Sequence, residues 1–212
     1  MGNMLLMSKF VRIYLLFIIV FMQPVSAQNN TTGEQFLAQF KTLSIASGTF
    51  TQRKYFKILK QPIISRGDIH LAKGLGLVWQ TNTPVFSRLL LKNNELYSDD
   101  GQQPSKKIIG GDALANVLMN AMTGNMKALK AQFTLDKSAK SNCVSLIPID
   151  KQLAKVIDTV LLCGKVTTNN IQTPKRLLDQ VILFEHAGNR TEIDLVLAEQ
   201  NILSEAIRAQ LQ

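Results

Sequence analysis

The residues of this chain that could carry out chemistry are few and scattered. Its two histidines, His70 and His186, have no second His, Cys or Asp at the spacing of metal ligands. Asp99 and Asp100 are adjacent in a turn, so their carboxylates cannot face each other as a catalytic pair. The sequence contains no nucleophile elbow, zinc-protease motif or phosphate-binding loop, and Gly74–Gly76 is only a fragment of a nucleotide fingerprint. It therefore predicts no metal, no cofactor and no enzyme.

The two cysteines predict a structural crosslink. Cys143 and Cys163 both fall in segments with strand patterns, and a hairpin centred near Leu153 would place them opposite one another. An oxidising compartment favours their pairing. A catalytic thiol would need a neighbouring base that lowers its pKa, and the surrounding sequence supplies none.

The single tryptophan raises the question of an apolar binding site. Trp79 stands in GLGLVWQTNTP, residues 74–84, which is typical of a short strand that ends at a Pro-closed turn. Its large apolar ring either fills the hydrophobic core or lines a binding site for an apolar ligand.

The first 27 residues predict a secretory signal peptide. Two basic residues precede the apolar run from Ile13 to Met22, which is too short to span a bilayer as a stable helix. Small residues at Val25 and Ala27 favour cleavage after Ala27. An uncleaved anchor helix is the alternative. No cysteine that could carry a lipid lies near the site, so residues 28–212 are expected to form a soluble periplasmic domain.

The charge of the exported chain is strongly positive. Lys9 and Arg12 are the only charged residues of the signal segment, and their removal from 24 basic and 15 acidic residues leaves +7. This charge suits anionic lipid headgroups or an acidic partner, whereas export argues against nucleic acid. Four cations interleave with apolar residues in one segment: Arg53, Lys54, Lys57 and Lys60. The segment is either a solvated strand face or a docking edge.

The order of helical and strand patterns predicts one domain. Thr31 and Glu34 form a capping box before an amphipathic helix, and from Ser47 the period changes to the alternation of an antiparallel meander. Strand patterns resume after residue 130 and are followed by a helical tail that could pack on a sheet edge. No Gly- or Pro-rich linker interrupts them.

The middle of the chain predicts a helix with one apolar face. Asp112 is its expected N-cap and Gly124 ends it, while Leu114, Leu118 and Met122 recur at helical spacing. The helix either covers an ordinary core or covers a cavity and moves. The fold class that follows is mainly β, with a strongly curved antiparallel sheet covered by α-helices.

This ordered set of features resembles the outer-membrane lipoprotein carrier proteins, the LolA-like family. SGTFTQRKY (47–55) is close to a family strand with an F-x-Q motif. LKQPIISRGDIHLAKGLGLVWQTNTP (59–84) matches a glycine-containing apolar strand, a turn, and an apolar-Trp strand that ends at proline. SLIPID (145–150) and the hairpin after it match an L-x-P strand and its successors. The match covers nearly all of the processed chain and is closest to a divergent branch.

The resemblance implies an incomplete β-barrel closed by helices around an apolar cavity. That cavity would shield the acyl chains of a lipoprotein or related lipid in the periplasm. Its partners would be an inner-membrane releasing complex and an outer-membrane acceptor, with transient contact at the membrane surface. The expected cavity residues are Phe50, Phe56, Ile69, Leu71, Leu77, Trp79, Leu89, Leu91, Leu114, Leu118 and Met122.

One departure from the family concerns the latch between lid and sheet. The best-known carriers have an arginine in the turn before the Trp strand, and here the nearest cation is Lys73. An ammonium cannot reproduce the planar bidentate fork of a guanidinium. Arg66 and Arg88 are other candidate latches, and Arg53, Lys54 and Lys57 are candidates for docking.

Three functions are compatible with these patterns. The first is a soluble carrier of acylated cargo. The second is a sensor or adaptor on the same fold, with a filled cavity and a protein partner at the segment from Arg53 to Lys60. The third is an exported hydrolase with unrecognised chemistry, which a screen of ester, peptide and glycoside substrates would test.

Overall fold

The computed structural model describes residues 32–102, 105–108, 113–167 and 175–212, without the side chains of Ala113 and Leu114. The predicted signal peptide (1–27), the predicted capping residue Thr31 and the predicted N-cap Asp112 lie outside the described residues.

Eleven strands within the described residues form one antiparallel sheet. In chain order they are β1 (Ile45–Tyr55), β2 (Ile63–Ala72), β3 (Gly76–Thr83), β4 (Ser87–Lys92), β5 (Glu95–Asp99), β6 (Lys106–Ile108), β7 (Phe133–Lys137), β8 (Cys143–Pro148), β9 (Ile157–Val166), β10 (Arg176–Glu185) and β11 (Arg190–Glu199). Their spatial order is β6-β5-β4-β3-β2-β1-β11-β10-β9-β8-β7. The predicted curved antiparallel sheet is therefore confirmed, and because β6 and β7 are its two edges it does not close into a complete barrel.

Four α-helices accompany the described strands: α1 (Gly33–Leu37), α2 (Ala113–Met122), α3 (Met126–Gln132) and α4 (Glu205–Leu211). A 3₁₀ turn, Leu153–Lys155, connects β8 to β9. Among the described helices, none has the length and apolar character needed to cross a membrane.

Helix α1 has a different cap from the one that the sequence predicted. Thr32 is the N-cap: its Oγ1 accepts a hydrogen bond from the Gln35 N–H at 3.2 Å, and the Gln35 Oε1 accepts one from the Thr32 N–H at 3.0 Å. Glu34 instead forms an ion pair with Lys130 of α3 at 2.5 Å. The sequence offers two overlapping boxes of the same type, one that begins at Thr31 and one that begins at Thr32.

The alternation of the strands produces one continuous apolar face, which we call the inner face. Across four neighbouring strands, Leu71 of β2 lies opposite Leu77 of β3, Leu77 opposite Leu91 of β4, and Leu91 opposite Leu96 of β5. All four are buried. Helix α2 covers this face with Leu118 and Met122, so the main core lies between helix and sheet.

A second, smaller core lies on the opposite face of the sheet. Val78 and Leu90 pack there against Leu203 and against Leu211 of α4. The predicted helical tail therefore lies on a sheet face rather than on a sheet edge, because β3 and β4 present apolar residues on both faces.

Candidate functional site

The space between α2 and the inner face contains a small apolar cavity. Its volume is about 130 Å³. The lining residues come from strands β1, β3, β4 and β5 and from α2: Gln52, Leu77, Trp79, Leu89, Leu91, Leu96, Ala115 and Leu118. Trp79 is only 8% exposed and is one of the lining residues, so it forms part of the cavity wall.

The arrangement of Trp79 depends on a ring from another strand. The ring centroid of Phe50 on β1 lies 4.1 Å from that of Trp79 on β3, although β2 runs between these strands. Gly67 of β2 lies directly opposite Phe50, and its lack of a side chain allows a close approach of the β3 backbone. A Cβ atom at position 67 would stand 1.8 Å from the backbone oxygen of Gln80.

Much of the predicted cavity is filled by side chains. Ile69, Leu71 and Met122 belong to the main core and are almost completely buried. The volume that remains is well below the roughly 300–1,000 Å³ of typical ligand sites. A long acyl chain therefore requires α2 to move away from the inner face.

Helix α2 separates the apolar cavity from a polar cleft. Ala115 and Leu118 line the cavity, whereas Asn116 and Asn120 line a cleft of about 780 Å³ on the other side of the helix. Leu91 borders both spaces. The helix thus has one apolar side and one side that carries amide side chains. This arrangement fits a helix that lies between an apolar interior and solvent.

Five predicted cavity residues line the small cavity: Leu77, Trp79, Leu89, Leu91 and Leu118. The described predicted residues that do not line it are Phe50, Phe56, Ile69, Leu71 and Met122. Phe56 follows the end of β1 and is half-buried, and the ammonium of Lys54 lies 5.6 Å from its ring centroid. Phe56 does not belong to the main core either, and its place in a cavity stays a prediction. The side chain of Leu114 lies outside the described part of the chain.

Three lining residues were not predicted from the sequence. Leu96 is the register partner of Leu91, Gln52 has the same parity as Phe50, and Ala115 lies one helical turn before Leu118. Strand parity and helical spacing could have identified all three. Gln52 and Ala115 carry polar or small side chains, which a pattern of large apolar residues does not mark.

The candidate latches hold other parts of the molecule or remain exposed. The Arg88 guanidinium forms an ion pair with Asp99 and donates a hydrogen bond to the Gln210 side chain of α4 at 3.1 Å. It therefore ties α4 to β4, not α2 to the sheet. Lys73 and Arg66 are exposed, and neither side chain forms an ion pair among the described residues.

The candidate docking edge is partly neutralised within the sheet. Arg53 pairs with Asp194, and Lys54 pairs with Glu185. The hydrogen bond to Asp194 raises the pKa of Arg53. Burial alone would raise the pKa of Asp194, but hydrogen bonds from Arg53 and Gln180 lower it overall. Lys57 remains exposed beyond the strand end.

The cysteines and histidines have structural surroundings. Cys143 and Cys163 are register partners on β8 and β9 and form a disulfide. The Nδ1 atom of His70 lies 2.9 Å from Ser47 Oγ, and burial lowers the pKa of this histidine despite the opposing charge of Asp68. Among the described residues, no three metal-ligating side chains lie together.

Comparison with known proteins identifies the fold. No family model and no curated protein matches the sequence. A LolA superfamily protein from Nitrosomonas europaea aligns with a TM-score of 0.51 and 10% identity, over 81% of this chain and 95% of that one. A DUF1329 family protein from Desulfovibrio piger aligns with a TM-score of 0.51 and 10% identity, over 85% of this chain and 98% of that one. The open sheet with its covering helices is therefore a LolA-like fold, as the resemblance implied.

Proposed function

We propose that this protein is a periplasmic carrier that shields acyl chains of a lipoprotein, or of a related lipid, on the way to the outer membrane. The observation that supports it is the apolar cavity beneath α2, with Trp79 in its wall. Burying an acyl chain there stabilises the complex by roughly 0.8 kcal/mol for each methylene removed from water.

The proposal assigns α2 the role of a movable cover. Its C-terminal end is fixed, because the Leu43 N–H donates a hydrogen bond to the Met122 carbonyl at 2.8 Å. Gly124 follows with a φ of 68°, in the left-handed region that favours glycine. A helix that turns about this end would widen the cavity without breaking the sheet.

The processing and partners are part of the same proposal. Cleavage after Ala27 would release a soluble domain of residues 28–212. An inner-membrane complex would load the cargo and an outer-membrane acceptor would receive it. The predicted cavity residues Phe50, Ile69, Leu71, Leu77, Leu89, Leu91, Leu118 and Met122 would line the widened space.

Native mass spectrometry of protein purified from the periplasm tests the carrier directly. The intact mass reports whether the chain starts at Gln28, and organic extraction identifies any bound acylated species. We expect a bound species of defined mass. A ligand-free mass, together with failure to take up added lipid or lipopeptide, would contradict the carrier.

A matched pair of variants locates the site. Ala115→Leu fills the small cavity and should weaken binding of a fluorescent long-chain fatty acid about tenfold, because each excluded methylene costs roughly 0.8 kcal/mol. Ala131→Leu makes the same change at an exposed position of α3 and should leave binding unchanged. Equal binding by both variants would place the acyl site elsewhere.

The filled state of the inner face favours one alternative, a sensor or adaptor that binds a protein partner. Most predicted cavity residues are packed core residues, as such a protein requires. This alternative predicts that Lys54→Glu and Lys57→Glu abolish partner binding and leave lipid binding untouched. Because Lys54 pairs with Glu185, Lys57→Glu is the cleaner of the two changes.

A further inference from the structure

The hairpin between β1 and β2 carries large aliphatic side chains in water. Ile58 at its tip is 91% exposed and Leu59 is 48% exposed. Ile63 and Ile64, at the start of β2, are also exposed. The covering helices and the two cores leave these four side chains uncovered. Contiguous exposed apolar residues are costly in water and mark a contact surface.

The hairpin is held in a defined position. The Lys57 N–H donates a hydrogen bond to Asn189 Oδ1 at 3.2 Å, which joins the hairpin to the turn between β10 and β11. The Leu59 N–H donates to the Phe56 carbonyl at 3.0 Å and forms a local turn. These contacts keep the aliphatic tip from folding back onto the sheet.

Neighbouring loops extend the apolar surface along the same end of the sheet. The His186 N–H donates to the Val156 carbonyl at 3.2 Å, so the β10–β11 turn also contacts the β8–β9 connection. In that connection, Ile149 and Val156 are exposed. The hairpin, the turn and the connection therefore form a continuous rim at one end of the sheet.

The charge of the hairpin is entirely positive. Between Tyr55 and Asp68 the sequence has Lys57, Lys60 and Arg66 and no acidic residue. All three cations are exposed and form no ion pair within the described ranges.

The β8–β9 connection adds Lys151 and Lys155 to the rim. It also contains Asp150, but that carboxylate accepts hydrogen bonds from the backbone N–H groups of Gln152 and Leu153. Asp158 lies beside His186. Cations therefore outnumber acids on this rim.

We propose that the β1–β2 hairpin docks the protein on a bilayer with anionic headgroups. Ile58 and Leu59 enter the interfacial region, while the lysines on either side reach the lipid phosphates and carry their aliphatic stems along the apolar surface. Lysines that flank exposed aliphatic residues, without nearby acids in the hairpin, match lipid phosphate better than a protein surface of mixed charge. This inference does not depend on the contents of the cavity.

Co-sedimentation with lipid vesicles tests the docking surface. The processed protein should bind vesicles of equal parts phosphatidylcholine and phosphatidylglycerol, and it should bind less at high salt. The double variant Ile58→Ser, Leu59→Ser should bind about tenfold more weakly, because both apolar anchors are lost. The matched control is Val196→Ser with Ile202→Ser, which are 66% and 77% exposed and lie away from the hairpin. This control should bind like the wild type.

A second pair of variants separates charge from apolar insertion. Lys57→Glu with Lys60→Glu should weaken binding to the anionic vesicles about tenfold. Lys127→Glu with Lys137→Glu makes the same charge change at exposed positions elsewhere and should have a much smaller effect. Two results would overturn the proposal: equal vesicle binding by the wild type and the Ile58, Leu59 variant, or no vesicle binding by the wild type. The second result would assign the rim to a protein partner instead.

Discussion

The ring of Phe50 on β1 crosses β2 above Gly67 and packs against the indole of Trp79 on β3, with 4.1 Å between the ring centroids. This contact connects three strands on the inner face and fixes one wall of the cavity. The register partner of Phe50 on the strand between them is Gly67.

Removal of the Phe50 ring should strongly destabilise the fold. Phe50→Ala is expected to lower the free energy of unfolding by about 3–5 kcal/mol, since the ring is buried and its neighbours cannot collapse into the space. Chemical denaturation followed by Trp79 fluorescence measures the loss. Phe56→Ala is the control and should cost less than about 1 kcal/mol, because that ring is half-buried beyond the strand. Similar losses for both variants would contradict the assignment of the two rings.

A side chain at position 67 should disturb the close approach of β2 and β3. Gly67→Ala places a Cβ against the Gln80 backbone oxygen, and we expect a loss of about 1–3 kcal/mol in the free energy of unfolding. Ser65→Ala, on the same strand, should be nearly neutral. If Gly67→Ala had no greater effect than Ser65→Ala in thermal melts, the close approach of β2 and β3 would be wrong.

The disulfide should stabilise the fold because it lowers the conformational entropy of the unfolded chain. Cys143 and Cys163 are 20 residues apart, and a closed loop of this length contributes on the order of 3 kcal/mol. Replacement of both cysteines by serine should lower the urea midpoint accordingly. A reducing agent should shift the wild type toward the variant and leave the variant unchanged. No shift in either protein would show that the crosslink does not stabilise the fold.

Asp179 should make stability depend on pH. It lies at a register shift in β10, and its Oδ1 is buried without a hydrogen-bond partner among the described residues. Burial raises the pKa of Asp179, and the nearby charge of Lys165 only partly opposes this. The folded state therefore favours the protonated acid. Protonated Asp179 stabilises the fold at pH values below the ordinary pKa of a carboxyl group. This contribution is lost as the pH rises through the raised pKa of Asp179 in the folded state.

Asp179→Asn removes this cost. At about pH 7 the variant should melt at a higher temperature than the wild type, because the folded state no longer holds a carboxylate in a partly buried position. At about pH 3, below the ordinary aspartate pKa of about 3.9, the gain should disappear. A stabilisation that is the same at both pH values would exclude the buried carboxylate as its cause.

The alternation in the sequence was sufficient to assign the inner face in the first half of the sheet. Leu77 and Trp79 share a face because side chains alternate along a strand, and register then brings Ile69, Leu89 and Leu91 beside them. The rule does not extend to Phe56, which lies beyond the end of β1, because alternation predicts a face only while the strand continues. The sequence also did not decide between Thr31 and Thr32 as the helix cap, because both begin a capping-box pattern.

The sequence by itself determined which strand residues share a face of the sheet, and it contains no recognisable catalytic motif. It also predicts the signal peptide. Only the tertiary structure decided that β1 pairs with β11, that Arg88 holds α4, and that side chains fill most of the space under α2. The physical reason is that local patterns fix which way a side chain points. The partner that it meets, and the volume left between partners, depend on residues far apart in the chain.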